Sequence, residues 1–148
     1  MKGAWKYLYR AVDSTGQTID FMLSAKRDAR AAKRFFRKML KAAKHQSPRV
    51  INVNWNKAYP LAVEELKEEG VLSVASQLRR CKYLNNIVEQ DHRAVKRVVK
   101  PMLGFKSFWA ARCTIAGIEV MHAIRKGQLE TTETVAHTPA EQFYALAA

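Results

Sequence analysis

Apolar residues in this chain recur at two different periods, and the order in which those periods follow one another leaves few folds open. From Trp5 to Val12 the pattern alternates, with Trp5, Tyr7 and Tyr9 on one face and Leu8 and Val12 on the other, and Thr18 to Leu23 alternates again. The Asp13-Ser-Thr-Gly16 segment between them has turn chemistry, so the two runs predict a β-hairpin. From Asp28, a side chain able to cap a helix, the period lengthens to that of an α-helix running to about Lys44. Ala32, Phe35, Phe36, Met39, Leu40 and Ala43 form its apolar stripe, which predicts burial against a sheet. Arg30, Lys33, Arg34, Arg37, Lys38, Lys41 and Lys44 fill the other side, which is either a solvated face or a contact for the DNA backbone.

The alternation of periods continues. Arg49 to Asn54 reads as a short strand of the fully buried type. A helix follows, with Pro60 near its first turn and Gly70 beyond its end. Its Glu64, Glu65, Glu68 and Glu69 resemble a metal cluster in composition, but they fall among solvent positions and read as an acidic face. One more short strand is expected within Val74 to Tyr83. Asn85 or Asn86 can cap the next helix, which Pro101 ends. Ser107 caps a further helix, carried by Phe108, Ala111, Ile115 and Ile118 up to Gly127. Thr138 and Pro139 can open a short terminal helix. Strand, strand, helix, strand, helix, strand, helix, helix is the order of an α/β layer fold, a mixed sheet with helices packed on it.

Within the helix after Asn86, Glu89, Arg93, Lys96 and Lys100 stand at i, i+4, i+7 and i+11 and so share one row. A lone carboxylate among cations can hold a divalent metal while the cations grip a phosphate backbone; it can equally be the paired acid of a solvated basic helix. Charge favours the first class of partner: 26 Lys+Arg against 13 Asp+Glu give a formal net charge of +13, the signature of a polyanionic partner. No apolar run approaches the ~20 residues of a membrane span, and no apolar segment of signal-peptide type opens the chain. Cys81 and Cys113 are isolated, as expected of reduced thiols in a cytoplasmic protein rather than of a disulfide framework or zinc site. Glu89 and His92 have the Glu-x-x-His spacing of di-iron bundles, but a single copy cannot build such a site. His45, His122 and His137 have no partner pattern. Trp5 and Trp109 are expected in packing, whereas Trp55, beside the end of the buried strand, is the tryptophan placed nearest a substrate.

Asn54 ends that strand, where α/β folds collect their chemistry. It is separated by 34 residues from Glu89, and Lys96 comes seven residues later. With the blocks Lys2-Gly-Ala-Trp-Lys-Tyr-Leu-Tyr-Arg-Ala-Val-Asp13, Val50-Ile-Asn-Val-Asn-Trp-Asn-Lys-Ala-Tyr-Pro60, Tyr83-Leu-Asn-Asn-Ile-Val-Glu-Gln-Asp-His-Arg93, Leu103-Gly-Phe-Lys-Ser107 and Gly117-Ile-Glu-Val-Met-His-Ala-Ile-Arg-Lys-Gly-Gln128, the chain resembles the DDE transposases of bacterial insertion sequences. The resemblance implies an RNase H-like α/β core over residues 1–128, followed by a tail at 129–148 with a short helix. It also implies a nucleoid-associated cytoplasmic protein acting on transposon ends and target DNA. In that family three carboxylates hold two Mg²⁺ ions that clamp a scissile phosphate. By resemblance Glu89 is the last of the three, a catalytic residue and metal ligand. Lys96, with Arg93, Arg97 and Lys100 around it, would contact DNA.

The chain departs from the pattern at the other two acids. Asn54 stands at the second Asp position, and an amide oxygen cannot bridge two cations. The strand bearing the first Asp precedes the Lys2 block in the family, as does a DNA-recognition domain, so the resemblance describes an N-terminally truncated core. Asp13 is not a substitute, because the pattern puts it at the hairpin turn. Lacking its first central strand, the sheet is expected either to close by direct pairing across the gap or to be weakened. The implied protein is therefore a transposase-family chain that is inactive as it stands. The competing readings are a non-catalytic DNA-binding or regulatory protein that pairs with itself or with a full-length transposase, and a nuclease active through replacement ligands.

Overall fold

The computed structural model describes residues 4–43, 46–81, 86–128 and 138–147. Lys44, His45, the alternative cap Asn85 and His137 lie outside them, as do Lys2 and Gly3 of the first family block. The chain divides into two compact units, Ala4–His92 and the part from Arg93 onward.

In the first unit β1 (Tyr7–Val12) and β2 (Thr18–Ser24) form the expected antiparallel hairpin, with a register shift at Ala11/Val12. Asp13 builds its turn: Oδ1 accepts from the Thr15 amide (2.8 Å), the Thr15 hydroxyl (2.7 Å) and the Gln17 amide (2.9 Å). Gly16 takes φ +86°, which a side chain would resist. Partial burial pushes the Asp13 carboxyl up, but the hydrogen bonds from Thr15, Gln17 and Gly16 outweigh it and hold the group below its ordinary value. A depressed carboxyl contributes stability above its unfolded pKa and loses it as pH falls through the folded value. Asp13→Ala is therefore expected to cost about 1 kcal/mol at neutral pH. It should also remove part of the acid sensitivity, so that the urea midpoints of the variant and the natural chain draw together as pH falls through the folded value of the carboxyl.

Helix α1 (Ala29–Ala42) is capped by Asp28, whose Oδ1 accepts from the Ala31 amide at 2.8 Å. It buries Ala32, Phe35, Phe36, Met39 and Leu40 as its stripe requires. Its basic side is neither simply solvated nor simply free. Helix α2 (Ala58–Glu68) lies along it, and Lys33 pairs with Glu65 and with Glu69 (2.8 Å), while Arg37 pairs with Glu69. Lys38 reaches Asp20 on β2 at 2.6 Å. The acidic face of α2 is thus the electrostatic partner of α1. Hydrogen bonding to Glu65, and then to Glu69, holds the Lys33 ammonium above its ordinary value, and the bonds from Lys33 and Arg37 hold the Glu69 carboxyl below its own.

Strand β3 (Val50–Val53) is half-buried rather than buried on both faces: Ile51 and Val53 point into the core, while Val50 and Asn52 are exposed. It pairs in parallel with β4 (Gln77–Arg80), Val53 opposite Arg80. The expected single mixed sheet is therefore realised as two two-stranded ladders, one antiparallel and one parallel. Among the described residues β1 and β3 do not pair. What joins the ladders is apolar burial. Tyr9 of β1, Phe35 and Phe36 of α1, Ile51 and Val53 of β3, and Leu66 of α2 belong to one core cluster.

Helix α3 (Asn86–Val99) begins in the first unit and ends in the second, where Pro101 sits in a 3-10 turn, Lys100–Met102. The second unit continues with α4 (Phe108–Arg125), capped by Ser107 through the Ala110 amide (3.0 Å), and α5 (Pro139–Ala147). Ala111, Ile115 and Ile124 are the buried apolar positions of α4. Trp5 and Trp109 do not take the packing roles expected of them, being 87% and 73% exposed. No helix among the described residues is long and apolar enough to cross a membrane.

Candidate nucleic-acid interface

The chain leaves β3 through two consecutive side-chain turns. Asn54 Oδ1 accepts from the Asn56 amide (3.1 Å), and Asn56 Oδ1 accepts from the Ala58 amide (3.0 Å), which starts α2. These bonds fix the loop and leave the residue between the two asparagines, Trp55, standing 63% exposed. The neighbouring ladder brings Arg80 alongside: the Cys81 amide donates to the Val53 carbonyl at 3.0 Å, and the Arg80 guanidinium lies 5.4 Å from the centroid of the Trp55 ring. Arg27, Asn54, Trp55 and Asn56 line an open concavity of about 380 Å³. Asn54 thus sits at the strand end, where the sequence places it, in a setting that is cationic and aromatic.

Glu89 lies in the first turn of α3, is exposed, and does not line that concavity. Arg93, Lys96 and Arg97 follow it on the same helix and are exposed, as is Lys100, which stands one residue beyond α3 in the 3-10 turn. Glu89, Arg93 and Lys96 thus all lie within α3, and Lys100 is the first residue of the turn that follows it.

The residue on α3 that sequence reading missed is Asp91. It is buried, its Oδ2 pairs with Arg10 of β1 at 2.9 Å, and it accepts from Thr18 Oγ1 of β2 at 3.3 Å. The Arg10 side chain is 0% exposed. One turn earlier Ile87 comes within 3.4 Å of where a side chain on Gly16 would begin. The N-terminal half of α3 is thereby fastened to the hairpin. The signal was present: with Val88 and Val95, Asp91 falls in the apolar stripe of its helix, where a charge needs a buried partner.

A two-metal clamp needs several anionic oxygens converging on one point. Asn54 and Glu89 supply one carboxylate between them, and the Asn54 oxygen is already engaged by its own loop. No group of three His, Cys, Asp or Glu side chains among the described residues could hold a metal ion. The donor set of the described residues does not fit a two-metal centre.

Comparison with known proteins bears on what the cations serve. A family profile described as a DDE domain, of the IS240 transposase type, matches residues 1–128. The chain is 30% identical over 142 residues to the transposase for insertion sequence-like element IS431mec of Staphylococcus aureus, covering 96% of this chain. The same identity holds to the S. aureus transposase of insertion sequence element IS257 in transposon Tn4003. The chain spans 61% of the length of these curated relatives. An uncharacterized protein of Yersinia pseudotuberculosis is 35% identical over 71 residues, which is 47% of this chain and 66% of that protein. No solved structure matches. By the extent of the family match, this chain belongs to the insertion-sequence DDE transposases.

Proposed function

We propose that the chain is a segment of an RNase H-like transposase core, residues 1–128 with a tail at 129–148, that binds DNA through its phosphate backbone and does not cut it as it stands. The family function behind it is transposition by Mg²⁺-dependent cleavage and strand transfer. The observation that carries the reading is the exposed cation set Arg93, Lys96, Arg97 and Lys100 on and just after α3, in a chain of net charge +13. Each phosphate neutralised by such a side chain releases condensed counterions, so affinity is electrostatic and carries little sequence preference. The absence of cutting follows from Asn54: an amide at the second acid position neither bridges two cations nor offsets their charge.

The test is binding of a fluorescent blunt duplex by anisotropy as salt is raised. The log of the binding constant is expected to fall linearly with log salt, with a slope of about −0.9 per phosphate contacted. Replacing Lys96 and Lys100 together by Ala should reduce the magnitude of that slope by about 2 and weaken binding alike on unrelated sequences. Binding indifferent to salt would sink the reading. Incubation of supercoiled plasmid with Mg²⁺ should leave it intact; nicking that disappears in Glu89→Gln would instead establish an active nuclease.

A further inference from the structure

We propose that Trp55 and Arg80 form a stacking platform for one unpaired DNA base, with Arg27 taking an adjoining phosphate. The proposal rests on the DNA-binding reading and adds to it a second site, in the first unit, for a distorted or single-stranded stretch.

The argument begins with cost. A tryptophan is usually drawn into cores, yet here it is 63% exposed on a loop whose two asparagine turns hold it outward, so the exposure is built and not a frayed end. One face of the indole is occupied: the Arg80 guanidinium lies 5.4 Å from the ring centroid, a cation–π distance. Parallel pairing of β3 with β4 fixes that approach, since Arg80 is the register partner of Val53, two residues before Trp55. A guanidinium behind an aromatic ring leaves the opposite π face to a second flat partner. A nucleobase fits that role, because every base has a π face and stacking on tryptophan is indifferent to sequence. The surroundings suit the rest of a nucleotide. Arg27 is exposed and lines the same concavity as Trp55. Among the described residues no carboxylate lines the concavity to repel a phosphate. A base within an intact duplex cannot offer its face in this way, so the platform selects DNA with an unpaired base.

The experiment compares a blunt duplex with the same duplex carrying a short single-stranded overhang, each titrated with the full chain. The overhang should improve binding by about tenfold, within the range of stacking one base on an aromatic ring. In Trp55→Ala the ratio between the two probes should fall to near one, while Trp55→Phe should keep most of it. With Trp5 and Trp109 both changed to Phe, Trp55 is the remaining tryptophan, and its fluorescence should be quenched by the overhang probe more than by the blunt one. Circular dichroism of each variant separates a lost platform from a lost fold. Binding of the blunt duplex with no gain from the overhang, or a gain that survives Trp55→Ala, overturns the platform and leaves the backbone-binding reading standing. Failure to bind either probe overturns both.

Discussion

Asp91→Ala is expected to destabilise the first unit by about 3–5 kcal/mol, the cost of taking one member from a buried ion pair. Arg10 has a side chain with no solvent exposure, and its guanidinium lies 2.9 Å from the Asp91 carboxylate. Removing the acid takes the carboxylate from that buried cation, and the hydroxyl of Thr18, 3.4 Å from the guanidinium, carries no charge to offset it. Against a total stability of roughly 5–15 kcal/mol the loss is a large fraction. It should appear as a marked fall in the urea midpoint followed by circular dichroism. The ion pair need not itself be stabilising relative to an apolar pair. Replacing both members, with Arg10→Met and Asp91→Leu, should recover most of the loss, because neither variant side chain then needs a partner. An Asp91→Ala midpoint shift worth less than about 1 kcal/mol, the scale of an exposed ion pair, would show that the pair is solvated in practice and does not fasten α3 to the hairpin.

That fastening also sets which way α3 faces. Asp91 is two residues from Glu89, about 200° around a helix. Burying Asp91 against Arg10 and Thr18 therefore turns Glu89 outward, where it is exposed. The hairpin, the three helix caps at Asp28, Ser107 and Thr138, and the stripe of α1 were legible because each depends on neighbours close in sequence. Register between distant elements was not. The division into two ladders depends on which strand edges meet, and alternation within Val50–Val53 does not encode that. Likewise the basic side of α1 could be read as charge but not as the partner of Glu65 and Glu69, 32 or more positions away.

At the candidate site the limit was of the same kind. Asn54 and Glu89 were identified by spacing and resemblance, which give positions along the chain but not surroundings. Trp55 was marked by adjacency alone. That it stays exposed, and that Arg80 comes to its face, follows from the parallel pairing of β3 with β4. Arg27, from the segment before α1, could not have been placed beside Asn54 from sequence separation at all.

Phe36→Ala should be as damaging as Asp91→Ala, for the opposite chemical reason. The side chain is 3% exposed; its ring lies 6.2 Å from Phe35 on the same helix and 5.9 Å from Tyr59 of α2, edge to face at 64°. Tyr9 of β1 closes the cluster, 5.5 Å from Phe35 and 6.5 Å from Tyr59. With no ladder between β1 and β3 among the described residues, this cluster is what the two sheets share, so truncating one of its rings opens a cavity between them. The expected cost is about 3–5 kcal/mol, against about 1 kcal/mol for Phe36→Leu, which keeps most of the volume. Tyr9→Phe is the informative contrast. The Tyr9 hydroxyl is buried with no hydrogen-bond partner among the described residues, and burial pushes its pKa up to about 12. Deleting an unsatisfied hydroxyl while keeping the ring should be neutral or stabilising at neutral pH. A raised pKa also means stability that is complete below the unfolded value near 10 and is lost as pH climbs toward about 12. Tyr9→Phe should therefore hold its urea midpoint better than the natural chain across that alkaline range, while Phe36→Ala should be weakened equally at every pH. If Tyr9→Phe instead loses stability at neutral pH, the hydroxyl has a partner, and polar contacts share in joining the two ladders.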